Sequence, residues 1–159
     1  MEFVASAVSV LATVALGVSA GALAAEGAVL VPFWRSLQPE AFLAWYREHA
    51  GLLLRFFGPL EITATVLALA ALGLNWLLGC AATDPLIVSA FLAVAVLAAF
   101  PIYFQKVNAR FAAGTIARDC VQAELRRWSR WHWARTALAV GAFVSAVISL
   151  LGAGSQPAG

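Results

Sequence analysis

The sequence predicts an all-α protein, an up-down bundle of four transmembrane helices. A short interfacial helix and a cytoplasmic extension of the fourth helix complete the expected fold. Three observations predict it. Four apolar stretches are each long enough to cross a hydrocarbon core, which needs about 20 residues. Of the 159 residues, 63% are apolar and 11% charged, against roughly 25% charged in an ordinary soluble domain. The basic residues are gathered in one connection and missing from the next. A soluble domain of this length could not hide that much apolar surface, whereas lipid can. The length suits one membrane domain over residues 1–152, with a short polar tail over 153–159.

The first span is expected over residues 3–31, interrupted only by Glu26 and followed by Pro32. Gly21 to Ala25 has the small-residue look of a signal-peptide cleavage region. Two features oppose that reading: the extreme N-terminus carries Glu2 rather than Lys or Arg, and the apolar run continues through Val31. Between Pro39 and His49, Phe42, Trp45, Tyr46 and His49 recur at helical spacing, which predicts a short amphipathic helix lying at the membrane interface. The second span is expected over 52–79, with Gly58-Pro59 kinking it or starting its main part. The third covers 85–108 and contains Pro101.

The fourth span covers 128–151, and its helix is expected to begin earlier. Val121, Leu125 and Trp128 keep helical spacing, and Asp119 with Gln122 resembles a capping box. The result is a helix of about 33 residues, on the order of 50 Å, too long to lie wholly in lipid. Orientation follows from the connection holding Lys106, Arg110, Arg118, Arg126, Arg127 and Arg130, while residues 80–84 hold neither Lys nor Arg. The positive-inside rule places that basic connection, and the loop with Arg35 and Arg47, in the cytoplasm. The expected location is the cytoplasmic (inner) membrane, with both termini outside. Anionic lipid accounts for the basic run, so nucleic acid is not an expected partner. Cys80 and Cys120 fall at opposite membrane faces and cannot pair with each other.

Ionisable groups inside spans are costly and mark candidate sites. Glu26, Glu61, Asn108, His132 and Arg135 all fall in the cytoplasmic half, one or two from each helix, while Asn75 lies near the outer end. Trp128, His132 and Arg135 stand at i, i+4 and i+7, forming one stripe that can meet Glu26 and Glu61 across the bundle. Two acids, one Arg and one His nearly neutralise one another, as a buried set must. Each residue also has a plainer reading. Glu61 can complement the helix dipole behind Pro59, Arg135 can snorkel to headgroups, His132 can belong to an aromatic belt, and Asn108 can cap the third helix. Glu26 has no such cheap explanation.

The segment from Arg127 to Ala137, with Trp128, His132 four residues on and Arg135 three later, resembles the last conserved block of the anthrone oxygenase-like family. These are small four-helix membrane proteins whose block has Asn or His at the middle position. Asn108 before the basic connection, and Gly17, Gly21 and Pro32 in and after the first span, fit the same layout. The resemblance implies oxidation of an anthrone to an anthraquinone by dioxygen, without metal, flavin or other cofactor. His132, Arg135, Glu26 and Glu61 are the candidate catalytic residues, with His132 or Glu26 as base. Asn108, Trp128 and Trp131 are the candidate substrate-binding residues, the two Trp rings stacking on a hydrophobic aromatic small molecule. The competing expectation is a non-enzymatic membrane protein: an accessory subunit bound to a membrane-protein partner, a homo-oligomer, or a transport component. In that case the polar cluster is structural glue or an ion path. A metal site built from Glu26, Glu61 and His132 is a third, weaker reading.

Overall fold

A computed structural model describes residues 1–79 and 83–154 of the chain. It is all-α, with four helices long and apolar enough to cross a membrane. They are α1 (Glu2–Ser36), α2 (Pro39–Leu77), α3 (Thr83–Ala113) and α4 (Arg118–Gly154). Helices adjacent in sequence pack on one another, and α1 also packs on α4, so the four close into an up-down ring. Antiparallel partners run the length of the bundle: Ser9 with Asn75 and Ser19 with Glu61 between α1 and α2, and Ser89 with Ala142 between α3 and α4. The outward faces carry Leu11, Val14, Val66, Phe91 and Ile148, each about half exposed or more. A soluble bundle would bury such a surface; this one presents it to lipid.

The two ends of the bundle differ because their side chains differ. Towards the N-terminus of α1 the interior is made of Ala12, Ala64, Ala68, Ala71, Ala93, Ala142 and Ala146, with Leu16 and Leu86 between them. Such small residues let helix backbones approach closely. At the other end Trp34, Phe42, Tyr46, Phe104, Phe111 and Trp128 fill the interior. Trp34 alone has ring neighbours at 5.4–6.1 Å in Phe42, Trp45, Tyr46 and Trp128. The bundle interior is thus built from small side chains at one end and from aromatic rings at the other.

Prolines shape the aromatic half. Pro32 has no N–H to return to Ala28, and the turn before it relaxes into a π-helical segment, Glu26–Leu30, where the Val31 N–H bonds to Glu26 O. Pro101 does the same within Phe100–Phe104, where the Gln105 N–H reaches Phe100 O. Pro59 sits inside α2 and also withholds one intrahelical bond.

The four spans are as expected, and several boundaries are corrected. The segment over 39–49 is helical, yet it is the first part of α2 and not a separate interfacial element. Pro39 opens α2 where a missing N–H costs nothing, and no helix-breaking residue follows before Pro59. Pro32 does not end α1, because the π turn absorbs its ring. Asn108 does not cap α3, which continues to Ala113 and stops at Gly114, whose φ of 65° is the left-handed conformation open to glycine. The Thr115 N–H then returns to Arg110 O. Asp119 is not a cap either, because α4 starts one residue before it, and Gln122 donates to Leu37 O at 3.2 Å. Cys120 is exposed; Cys80 lies outside the described residues.

Candidate functional site

The stripe on α4 faces inward. Trp128, His132 and Arg135 are all buried, and Arg135 ends beside Glu26 of α1. The Arg135 Nη2 lies 3.5 Å from the Glu26 Oε2, an ion pair inside the bundle. The guanidinium also sits over the Phe104 ring, its Cζ 4.3 Å from the ring centroid, a contact that is worth more away from water. Arg135 Nε is buried with no hydrogen-bond partner among the described residues.

His132 is consumed by this structure. Its Nε2 lies 2.9 Å from Leu23 O, and a carbonyl only accepts, so Nε2 carries the proton. Nδ1 therefore accepts from Arg135 Nη2 at 3.2 Å. The ring is fully buried and stacks on Trp128 at 4.9 Å with 9° between planes. Such close approach to α1 needs Gly27: a Cβ there would stand 3.1 Å from His132 Nε2 and 3.0 Å from Trp133 Cζ2. His132 thus orients Arg135 and ties α4 to α1, with both nitrogens taken.

Glu61 enters from α2. Its Oε1 accepts from the Ser19 hydroxyl at 3.1 Å, and it is close enough to Glu26 and Arg135 for the charges to act on one another. No ion pair joins it to Arg135, and its second oxygen has no hydrogen bond among the described residues. Asn108 accepts from Trp128 Nε1 at 2.9 Å. Indole N–H is donor only, so the amide oxygen faces Trp128 and the NH₂ is left over.

These groups meet at a cavity of about 520 Å³, within the size range of small-molecule sites. Its walls come mainly from α2, through Tyr46, Leu53, Phe57, Gly58 and Ile62, and from α3, through Val96, Leu97, Phe100 and Phe104. Glu26, Glu61, Arg135, Asn108 and Trp128 supply its polar side. The Tyr46 hydroxyl, also on the cavity wall, has no hydrogen bond within the described residues. The site therefore offers unspent donors on Tyr46 and Asn108 and an unspent acceptor on Glu61, against a mostly apolar and aromatic wall.

Six of the seven expected site residues, Glu26, Glu61, Asn108, Trp128, His132 and Arg135, are gathered at one level of the bundle. Of these, His132 is not on the cavity wall. Trp131 is the residue set apart: it lies 39% exposed on the outer face of α4 and stacks on Tyr103 at 4.9 Å. Trp131 stands one residue before His132, about 100° around the helix from it and about 60° from Trp128, so it falls at the outer edge of the inward stripe. Among the described residues no three His, Cys, Asp or Glu side chains are grouped as a metal site would need. Tyr46, Phe57 and Phe104 are the wall residues that sequence reasoning passed over. The signal was present: Tyr46, Ala50, Leu53, Phe57 and Glu61 recur every three or four residues along one face, legible once α2 is read as one helix.

Fold and cavity together define a four-helix membrane protein with a cavity that is apolar on most of its wall and polar on one side. Comparison with protein-family models, with curated proteins and with solved structures found no match to this chain.

A double-substitution cycle checks the Glu26–Arg135 pair. Arg135→Met alone leaves a buried carboxylate unpaired and should cost about 3–5 kcal/mol of stability. Adding Glu26→Gln should recover most of that loss. Thermal unfolding in detergent reads the cycle, and additive losses would mean the two groups do not act as a pair.

Proposed function

We propose that this protein binds a flat, largely apolar molecule with phenolic or ketonic oxygens in the bundle cavity and oxidises it with dioxygen. The observation that carries the reading is the cavity with its unspent polar atoms. A cluster serving only to hold helices together would be consumed by its own contacts, and Glu61, Asn108 and Tyr46 are not. The second support is the resemblance of the Trp128–His132–Arg135 block to anthrone oxygenase-like proteins, whose reaction couples such a substrate to dioxygen without a cofactor.

In this reading Glu61 is the base, because His132 has no free nitrogen and Glu26 is paired with Arg135. The carboxylate takes one proton from the methylene of an anthrone-type substrate. The electron pair left behind spreads onto the ring oxygen, where the Tyr46 hydroxyl and Asn108 amide donate, with Arg135 behind them. The carbanion passes electrons to dioxygen one at a time. A C–O bond forms, and the resulting peroxide takes the proton back from Glu61. Removal of the second methylene proton by Glu61 breaks the O–O bond and makes the C=O. The departing hydroxide collects that proton as water. One anthrone and one dioxygen thus give one anthraquinone and one water.

The same proposal sets the chain in the cytoplasmic membrane, with both termini outside. The basic residues from Lys106 to Arg130 support this, since they cluster at the aromatic end of the bundle. The site then lies in the cytoplasmic half, and Arg118, in an exposed pair with Glu40 at 3.0 Å, lies outside it.

Two experiments test these statements. Conversion of a hydroxylated anthrone to its quinone, followed in nanodiscs with metal chelated, should be lost in Glu61→Gln and retained in Arg118→Ala. Turnover no faster than spontaneous autoxidation over a range of anthrones would reject the enzymatic reading. For orientation, a membrane-impermeant maleimide should label Cys120 only after the cells are permeabilised. Labelling of Cys120 in intact cells would reverse the topology.

A further inference from the structure

The cavity is placed between α2 and α3, and those two helices touch on either side of it. On one side Thr65 Oγ1 donates to Ala93 O at 3.3 Å. On the other, Tyr46 packs against Phe111 with ring centroids 5.4 Å apart. The α2 residues on the cavity wall, over 46–62, and the α3 residues, over 96–109, fall at or between these contacts, and Ala112 lies one residue past Phe111. Pro59 and Pro101 lie within the same two stretches, each withholding one helical hydrogen bond where the pair of helices parts.

Exposure rises across the cavity in one direction. Glu26 and Arg135, on the α1 and α4 side, are buried; Phe57 and Leu97 are intermediate; Gly51, Leu54 and Ala109 are exposed. The space therefore opens outward on the α2–α3 face. Side chains around that opening are those of a lipid-facing surface: Leu52, Phe56, Ile62 and Ile102 are each more than half exposed. The charged neighbours are Arg55 and Lys106, both exposed, whose long stems can reach phosphates from the acyl boundary. The exposed wall residues include the small Gly51 and Ala109 beside Leu54, Ile62 and one uncharged polar side chain, Gln105. A Cβ on Gly51 would meet nothing within 4 Å, and one on Gly58 only Leu54 Cδ1 at 3.9 Å.

We propose that the gap between α2 and α3 is a lateral port through which the cavity takes a flat, uncharged, bilayer-dissolved molecule directly from the lipid. This rests on the reading of the cavity as a ligand site, and adds where the ligand comes from and what it must be. A molecule carrying a fixed charge would be held back by the apolar rim. A flat and lipid-soluble one can slide past Gly51, Gly58 and Ala109 to reach Glu61.

Photolabelling tests the port without any turnover. A phenyldiazirine dissolved in the lipid of nanodiscs, activated by light, should label Glu61 and Phe57, located by peptide mass spectrometry. A charged diazirine confined to water should not. Ala109→Trp and Gly51→Trp, which fill the rim, should lose the lipid-phase labelling of Glu61. Gly73→Trp, also with open space around it but away from the cavity, should keep it. Equal labelling of Glu61 from water would overturn the port, as would undiminished labelling in a folded Ala109→Trp or Gly51→Trp protein. The comparison of the two probes on the unaltered protein is decisive even where a variant misfolds. Failure of anthrone oxidation leaves this labelling intact, whereas labelling from water alone removes the port and leaves the oxidation standing.

Discussion

The structure turns on the burial of Arg135 among helices that otherwise present apolar surface to each other and to lipid. A guanidinium at that position has to be met by an opposite charge, by hydrogen-bond acceptors and by polarisable surface, or the bundle opens to let it out. Four elements answer it: Glu26 from α1, His132 from one turn earlier on its own helix, the face of Phe104 from α3, and the more distant charge of Glu61 from α2. His132 can serve only because Gly27 lets α1 come close, and its proton is fixed by Leu23 O. A buried ion pair is poor evidence of stability, since well-packed apolar side chains often do as well or better. That such a pair occupies this bundle is a reason to look for chemistry beside it.

What lies beside it is space. Alanine layers, which let helix backbones approach closely, fill one end, while Trp34, Phe42, Phe111 and Trp128 fill the other. At the transition, α2 and α3 each carry a proline, and α3 and α1 each carry a π turn. A π turn inserts an extra residue into the helix and re-aims the side chains beyond it, and it often marks functional sites. Here one such turn begins with Glu26 and the other ends with Phe104, both in contact with the Arg135 guanidinium. Backbone irregularity and buried charge coincide, as expected where a helix has been distorted to deliver a group.

Much of this was legible in the sequence, because hydrophobic length and helical spacing are local properties. Four apolar runs became four helices, and the i, i+4, i+7 spacing of Trp128, His132 and Arg135 placed them on one inward face. Charge balance points from Arg135 to Glu26 or Glu61, and the ion pair forms with Glu26. Other features depended on tertiary context. Whether Pro32 and Pro59 end a helix or are absorbed by it rests on what packs around them, so α1 runs on to Ser36 and α2 reaches back to Pro39. Reading residues 39–49 as a separate interfacial helix hid Tyr46 from the list of site residues. The occupation of both His132 nitrogens was equally hidden, since it depends on a backbone carbonyl, Leu23 O, that no side-chain pattern reveals. Spacing alone does not separate Trp131 from Trp128, since three residues bring the helix back to within about 60°; the packing of Trp131 on Tyr103, outside the inward stripe, leaves it part-exposed.

The Arg135 cluster borders an open, ligand-sized cavity and is not closed upon itself. An experimental density map of the protein purified from its own membrane into nanodiscs tests this most directly. The account predicts flat, non-protein density between Phe57 and Phe104, ending within hydrogen-bonding distance of Asn108, Tyr46 or Glu61, with Arg135 still paired to Glu26. A map in which α2 and α3 close together and Arg135 bridges Glu26 and Glu61 directly, leaving no space between them, would contradict it.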